Sequence, residues 1–273
     1  MTKSKHAIGF IGGGNMAGAL VKGLLAVGLY EPAQIICSDV DAKRTAALRR
    51  RHGIATTQAN LDVVRGAKIV VLAVKPQIID AVLDGVRPVV TARQLFVSIA
   101  AGVTTRRLEQ RLGGAARVLR VMPNTPALLG KGMSVLVRGK HATAADERLG
   151  LRLLRAVGEA IVVPHEKLLD PVTGLSGSGP AYVYRFAEGL IAGGVAAGLS
   201  AEIATKLAFQ TIAGAAAMLL ESGESPETLR AQVTSPGGTT LAGLNELERL
   251  GFKQAVAAGV VAATKRSVEL GKG

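Results

Sequence analysis

The stretch Ala7-Ile8-Gly9-Phe10-Ile11-Gly12-Gly13-Gly14-Asn15-Met16-Ala17 constrains this chain more than any other. Ile8, Phe10 and Ile11 suit a buried strand. A helix-like run over 16–27 follows with almost no spacer, and Gly12-x-Gly14-x-x-Ala17 marks the junction. Strand, glycines and helix in that order are the context a dinucleotide-binding turn requires. Gly12 lets the backbone turn sharply, Gly14 removes the Cβ that would block a pyrophosphate, and Ala17 lets the helix pack close to the strand. The helix N-terminus adds unpaired N–H groups that face the anion. Glycines alone mark many tight turns; here position and periodicity agree, and the stretch predicts a nucleotide cofactor.

Further along, strand-like and helix-like runs alternate. Strands are expected at 34–38, 67–74, 95–99, 117–122, 133–138 and 159–163, and helices at 41–51, 78–86, 104–112 and 144–157. Gly53 closes the first of these helices, Lys75-Pro76 ends the second strand, and Pro123-Asn124-Thr125-Pro126 ends the fourth. Such alternation predicts a parallel, doubly wound sheet with ligands at the carboxyl ends of its strands. From about residue 164 no strand-like run returns. Ala-rich helices are expected at 180–197, 200–222, 226–233, 240–250 and 252–270, with Ser200 and Ser225-Pro226 as N-terminal signals. The fold class is therefore α/β: an N-terminal Rossmann-type doubly wound sheet at 1–164, followed by an all-α part at 165–273.

Two loops of the helical part put glycine and hydroxyl residues ahead of a helix, at 174–182 and 234–240. Free N–H groups and the positive dipole end there favour a carboxylate or phosphate. Capping by Ser and Thr is the plainer explanation for one such loop; two of them point to an anion-binding pocket.

Composition narrows the classes. The one cysteine, Cys37, excludes an intrachain disulfide and a Cys-based zinc site, and its place at a strand end predicts a buried, inert thiol. Four histidines, His6, His52, His141 and His165, share no metal-ligand spacing, so they are expected at the surface and no metal is expected. The formal charge of +13 raises the question of nucleic acid, with basic clusters at Lys43-Arg44, Arg49-Arg50-Arg51, and Arg106, Arg107 and Arg111. No zinc-finger spacing or RNA-binding aromatic signature accompanies them. A basic surface that draws in an anionic cofactor and substrate accounts for the charge, so no nucleic-acid partner is expected. The sequence shows no charged-then-apolar leader and no uninterrupted apolar run long enough for a bilayer, which predicts a cytoplasmic protein without a membrane partner.

Six stretches carry a family resemblance: 10–17, Ala73-Val74-Lys75-Pro76, 98–103, Met122-Pro123-Asn124-Thr125-Pro126, 172–182 and 233–240. Over nearly its whole length the chain resembles the pyrroline-5-carboxylate reductases. Leu175-Ser176-Gly177-Ser178-Gly179-Pro180-Ala181-Tyr182 and Thr234-Ser235-Pro236-Gly237-Gly238-Thr239-Thr240 are the stretches most specific to that family. The resemblance implies reduction of 1-pyrroline-5-carboxylate to L-proline with NADPH or NADH. It also implies a helical half that dimerises by interlocking helices, and assembly into a higher oligomer such as a decamer. The family's cofactor contacts fall on Ile11, Gly12, Gly13, Gly14, Asn15 and Met16, on Ser38 and Val40, on Asn60, on Ala73, Val74, Lys75 and Pro76, and on Ile99, Ala100 and Ala101. Its substrate contacts fall on Glu166, Gln232, Thr239 and Thr240, with Ser235 and Gly238 nearby; some relatives carry Asn and Ala in place of Gln232 and Thr239.

The implied reaction moves a hydride from nicotinamide C4 to the C=N carbon of a cyclic imine, so the protein must align two rings, exclude water and favour the protonated imine. The helix N-terminus at Gly238-Thr239-Thr240 is expected to hold the substrate carboxylate. Thr240, the candidate catalytic residue, is expected to reach the ring nitrogen or the carboxylate with its hydroxyl. Glu166 either favours the iminium or orders its own loop. Lys75, before a proline at a strand end, is expected to contact the cofactor through backbone and stem instead of forming a Schiff base. Asp39 would accept from ribose hydroxyls and favour NAD, whereas Ser38, Lys43 and Arg44 would welcome a 2′-phosphate; NADPH is expected, with NADH usable. A reductase of another imine or β-hydroxyacid would carry a catalytic lysine in its second domain, and the helix-borne Lys206 has no supporting motif. A nucleotide sensor without turnover would have no use for the two loops of the helical half.

Overall fold

The computed structural model describes residues 5–271. Eight strands form one sheet in the order β3-β2-β1-β4-β5-β6-β7-β8: β1 His6–Ile11, β2 Ile35–Ser38, β3 Ala55–Thr57, β4 Ala67–Leu72, β5 Leu95–Ser98, β6 Arg117–Met122, β7 Gly132–Arg138 and β8 Gly158–Val162. The first six strands run parallel, in the doubly wound 3-2-1-4-5-6 order. One pairing departs from the all-parallel expectation: β7 lies antiparallel to β6, and β8 runs parallel to β7. The connection 123–131 holds only a short 3-10 turn, and a parallel crossover needs a dozen or more residues.

The strands are apolar because both faces are covered. Side chains alternate between faces, so Ile8, Phe10, Ile69, Val71, Val97, Leu119 and Val121 join one core with α1 (Asn15–Ala26) and α6 (Ala144–Arg155). Ile11, Val70, Leu72, Phe96 and Val118 join the other, against α3 (Asn60–Gly66), α4 (Ile79–Val86) and α5 (Thr105–Leu112). Local chemistry sets the helix limits. Asp41 accepts from Lys43 N at the start of α2 (Ala42–His52), and Gly53 ends that helix in the left-handed region at φ 67°. Thr143 and Asp146 form a reciprocal capping pair on α6.

Several expectations are corrected. The strand expected at 67–74 stops at Leu72, and β3 and α3 were not foreseen at all. His6 is not at the surface: it is buried at the head of β1, with its ring Nδ1 3.1 Å from Ala33 O. Cys37 is buried as expected, and burial, helped by Asp39, pushes its thiol up to about 12.

The chain forms two compact units. One runs through Ser178 and takes back the residues from Ala262 onward; the other is Gly179–Val261. After α7 (Leu169–Val172), the first unit ends on a single π-helical turn, Thr173–Gly177, where Ser178 N donates to Thr173 O at 2.8 Å. The second unit is all helix: α8 (Gly179–Ala196), α9 (Ala201–Glu221), α10 (Pro226–Gln232), α11 (Thr239–Arg249) and the greater part of α12 (Phe252–Leu270). Ser200 and Ser225 cap α9 and α10 as expected. Gly194 brings α8 close to α9, since a Cβ there would stand 3.1 Å from Ala204 Cβ, and Phe186 meets Phe252 at 5.8 Å between centroids. Contrary to the expectation that no stretch could span a bilayer, α9 is long and apolar enough for it by length and composition. Many of the large apolar side chains of α8 and α9, including Phe186, Leu207, Phe209 and Leu220, are exposed.

Candidate functional site

The first turn is built as its residues require. Gly12 adopts φ 98° and donates to Ser38 O at 2.8 Å, which locks β1 to β2 at their carboxyl ends. Gly14 stands at the N-cap of α1 in extended backbone and offers no capping side chain. The first turn of α1 holds no acidic residue of its own. A Cβ added at Gly14 would meet no atom within 4 Å. Gly14 lines a cavity of about 520 Å³ together with Ile11, Gly12, Gly13, Asn15, Asp39, Val40, Arg44 and Asn60; Ala73, Val74, Lys75, Ile78 and Val82 complete it. Eleven expected cofactor residues therefore converge: Ile11, Gly12, Gly13, Gly14, Asn15, Asp39, Val40, Asn60, Ala73, Val74 and Lys75. Met16, Ser38, Pro76, Ile99, Ala100 and Ala101 are not among its walls.

Two of these residues work differently from the sequence reading. Ser38 is fully buried, and its hydroxyl donates to Asn60 Oδ1 at 2.7 Å, so Ser38 meets the cavity only through Asn60. Asp39 turns inward, its side chain 6% exposed. Its Oδ2 accepts from Gly13 N at 2.8 Å and lies 3.5 Å from Arg44 Nη1, and its Oδ1 accepts from Asp41 N at 2.9 Å. The carboxylate thus fastens the glycine turn and holds an arginine at the rim instead of pointing at a ribose. Basic character extends past the rim, where Lys22, Arg51 and His52 line a neighbouring hollow; burial, then Arg51 and Lys22, depress the His52 pKa.

Glu166 is occupied inside the first unit. Its Oε1 accepts from Thr105 N (2.7 Å) and Arg120 Nη1 (2.8 Å), and its Oε2 accepts from the Thr105 hydroxyl (2.8 Å). Of the two roles expected for it, this geometry supports the ordering one. Arg120 was missed, although an arginine inside the apolar run 117–122 was a readable signal of a buried partner. Asn124, at the end of β6, donates to Ser176 O (3.2 Å) and accepts from Met133 N (2.8 Å), tying the π turn to the sheet.

In the second unit, the loop after α10 turns at Gly237 (φ 70°), and Gly238 is the N-cap of α11 without a capping side chain. Gly238 N donates to Ser235 O at 3.1 Å, and the Ser235 hydroxyl packs so close to Gly238 that a Cβ there would collide with it. Gln232, Ser235, Thr239 and Thr240 are exposed. The side chains of Ser235, Thr239 and Thr240 accept or donate no hydrogen bond among the described residues, which leaves three hydroxyls and a helix N-terminus open to an anion.

The sequence model described as pyrroline-5-carboxylate reductase dimerisation matches residues 166–270, and that described as NADP oxidoreductase, coenzyme F420-dependent, matches 7–102. A pyrroline-5-carboxylate reductase of Pisum sativum is 44% identical, with 97% of this chain and 96% of that protein covered. A solved pyrroline-5-carboxylate reductase from Coxiella burnetii superposes with a TM-score of 0.92 at 38% identity, covering 97% of this chain and 98% of that one. The Plasmodium falciparum pyrroline carboxylate reductase, solved with NADP bound, gives a TM-score of 0.87 at 32% identity, covering 99% of this chain and 100% of that one.

Proposed function

The chain belongs to the pyrroline-5-carboxylate reductase family, and we propose on that footing how its residues divide the work. It is an NAD(P)-dependent oxidoreductase that reduces the C=N of 1-pyrroline-5-carboxylate to give L-proline, the last step of proline biosynthesis. The dinucleotide supplies the hydride. The observation that carries the reading is the open space over Gly14, beside the uncapped start of α1 and the rim arginine Arg44.

By function, residues 1–164 are assigned to dinucleotide binding and 165–273 to substrate binding and dimerisation, a division that does not coincide with the two compact units, which part at Ser178 and Ala262. The amides of Gly14 and Asn15 face the pyrophosphate, with Gly13 held behind them by Asp39, Val40 and Asn60 flank the adenosine, and Arg44 takes a 2′-phosphate, so NADPH is preferred and NADH usable. Ala73, Val74, Lys75 and Pro76 lead towards the nicotinamide, and the turn Ile99–Ala101 lies against its reactive end. Ser235, Gly238 and Thr239 hold the substrate carboxylate at the start of α11, with Gln232 beside them. Thr240 donates to the ring nitrogen or the carboxylate. Homodimers join into a larger assembly such as a decamer in the cytoplasm, without nucleic acid or membrane as partner. The exposed apolar faces of α8 and α9 are what the dimer covers.

The test is loss of reduced-nicotinamide absorbance with 1-pyrroline-5-carboxylate, for the wild type and Thr240→Ala. Turnover lost in the variant supports both the function and the pocket. Turnover in both moves the proton donor elsewhere, and no oxidation despite nucleotide binding refutes the reductase reading.

A further inference from the structure

The turn between β5 and α5 is fastened at both ends. At its start, Ile99 N donates to Leu72 O at 3.1 Å and Ala100 N to Ser98 Oγ at 3.4 Å. At its end, Thr104 already caps α5 by accepting from Arg107 N at 3.2 Å. Glu166 then adds two more bonds at Thr105, from a segment 61 residues away, and is itself gripped by Arg120. In between, Gly102 at φ 75° lies against the last turn of α12, 3.6 Å from where its Cβ would be to the Leu270 carbonyl. That last turn is tied down by Ser267 Oγ, which donates to Asp170 Oδ1 at 2.7 Å.

Capping does not require this. Thr104 alone is a sufficient N-cap, and Arg120 is 8% exposed against 27% for Glu166. Burying an ion pair is weak evidence for stability, because well-packed apolar residues of the same volume are often as stabilising or more so. What a half-buried, multiply bonded pair supplies is a fixed geometry. The turn it fixes is the one that, on the proposed function, meets the reactive end of the dinucleotide.

We infer that Arg120, Glu166 and Thr105 are positioning residues for hydride transfer, which hold the 99–102 turn, and through it the nicotinamide ring, without touching the reacting atoms. The inference rests on that reading of the turn. The Glu166 carboxylate, held by Thr105 and Arg120, then acts through the turn. A small displacement of an aligned donor is enough to slow such a step by one to two orders of magnitude, roughly.

The experiment uses the full-length enzyme with Arg120→Met, Arg120→Lys, Glu166→Gln and Thr105→Val. It reads NADPH affinity, kcat, KM for the imine, the isotope effect on kcat with 4-deuterated NADPH, and Tm. The expected result for Arg120→Met and Glu166→Gln is a fall in kcat of about ten-fold or more, with NADPH affinity held within about two-fold by the adenosine end. The isotope effect rises as hydride transfer becomes the slow step, and Arg120→Lys recovers part of the rate. Thr105→Val removes one bond and no charge. It shows a smaller loss of kcat at unchanged Tm, which keeps the test decisive if the charged variants do not fold. Unchanged kcat and isotope effect in folded variants, with only Tm lowered, overturn the inference. So does a rise in KM for the imine confined to Glu166→Gln. A wild type that oxidises no NADPH with the imine refutes the proposed function itself, a separate outcome.

Discussion

Gly12 and Gly14 stand two residues apart in the same turn, yet the structure predicts that alanine at each fails for a different reason. At Gly12 the backbone sits at φ 98°, and a Cβ would lie 2.6 Å from Ala73 O, 2.9 Å from Ala73 C and 3.0 Å from Val74 Cγ1. Left-handed backbone costs an L-residue about 1–2 kcal/mol, and overpacking against a backbone that cannot yield adds about 1–3 kcal/mol. The expected loss for Gly12→Ala is therefore about 2–5 kcal/mol of stability, at roughly 2–4 °C of Tm per kcal/mol for a domain of this size. Gly14 has φ −73° and ψ −175°, which alanine adopts freely, and no atom lies within 4 Å of its Cβ position. Gly14→Ala should fold as well as the wild type or better, by up to about 1 kcal/mol through the unfolded chain. Its methyl instead occupies the space a pyrophosphate approaches. Losing one charge-assisted hydrogen bond costs about 1.5–3 kcal/mol, which is roughly a ten- to hundred-fold rise in the Kd for NADPH. Thermal unfolding and fluorescence titration with NADPH measure the two quantities on the same samples. If Gly14→Ala bound NADPH normally, the assignment of the cavity to the dinucleotide would be refuted, and an undiminished Tm for Gly12→Ala would refute the steric argument at Gly12.

Four other outcomes follow from the structure. Because Asp39 holds Gly13 N and Asp41 N, Asp39→Ala should weaken NADPH and NADH together by about ten-fold; a loss confined to NADH in titrations would show a ribose contact instead. Arg44→Ala should weaken NADPH more than NADH, and that gap should narrow as salt rises. Cys37, with its thiol pushed up to about 12, should resist alkylation in the native protein at about pH 8 and react once unfolded, as mass spectrometry would show. Arg107 grips Asp80 through Nε and Nη2 (3.1 and 2.8 Å), and this, followed by the charge of Arg111, holds the Asp80 carboxyl below the usual range. The folded pKa is the lower one, so the stabilisation is present above the unfolded value of about 4 and disappears as pH falls through the folded value. The stability gap between wild type and Asp80→Asn in urea titrations should therefore shrink on the acid side and stay constant at neutral pH.

Much of this was legible in the residues because it is local chemistry. The glycine turn, the apolar strands, the caps at Ser200 and Ser225, and the breaks at Gly53 and Pro123 depend on near neighbours in sequence. What stayed hidden depends on distant partners. β3 is three residues long, too short to show a period of two. The reversal at β7 is a matter of pairing, although the short connection 123–131 was a usable sign. Asp39 carries the residue type of a ribose ligand, and only its contact with Gly13, 26 residues away, shows the carboxylate facing inward. His6 was misplaced because its fate is set by Ala33 O, across the β1–β2 pair.

Arg120 shows how register turns a local anomaly into part of a site. Along β6, Leu119 and Val121 belong to the core shared with α1 and α6, while Val118 belongs to the core shared with α5. Alternation places Arg120 on the α5 side, beside Ser98, its partner in β5. There the apolar row Phe96–Val118 gives way to polar groups. On the other edge of β6, Val121 pairs with Leu136, and Leu136 with Val162, so β8 ends level with Val121, next to Arg120 in β6, and the chain reaches Glu166 four residues later. A one-residue slip between β6 and β7 would shift where that segment leaves the sheet and put the other set of side chains opposite each partner. Glu166 would then lose Arg120 and Thr105 together. The ion pair is therefore a check on strand register as well as a clasp on the turn beside β5.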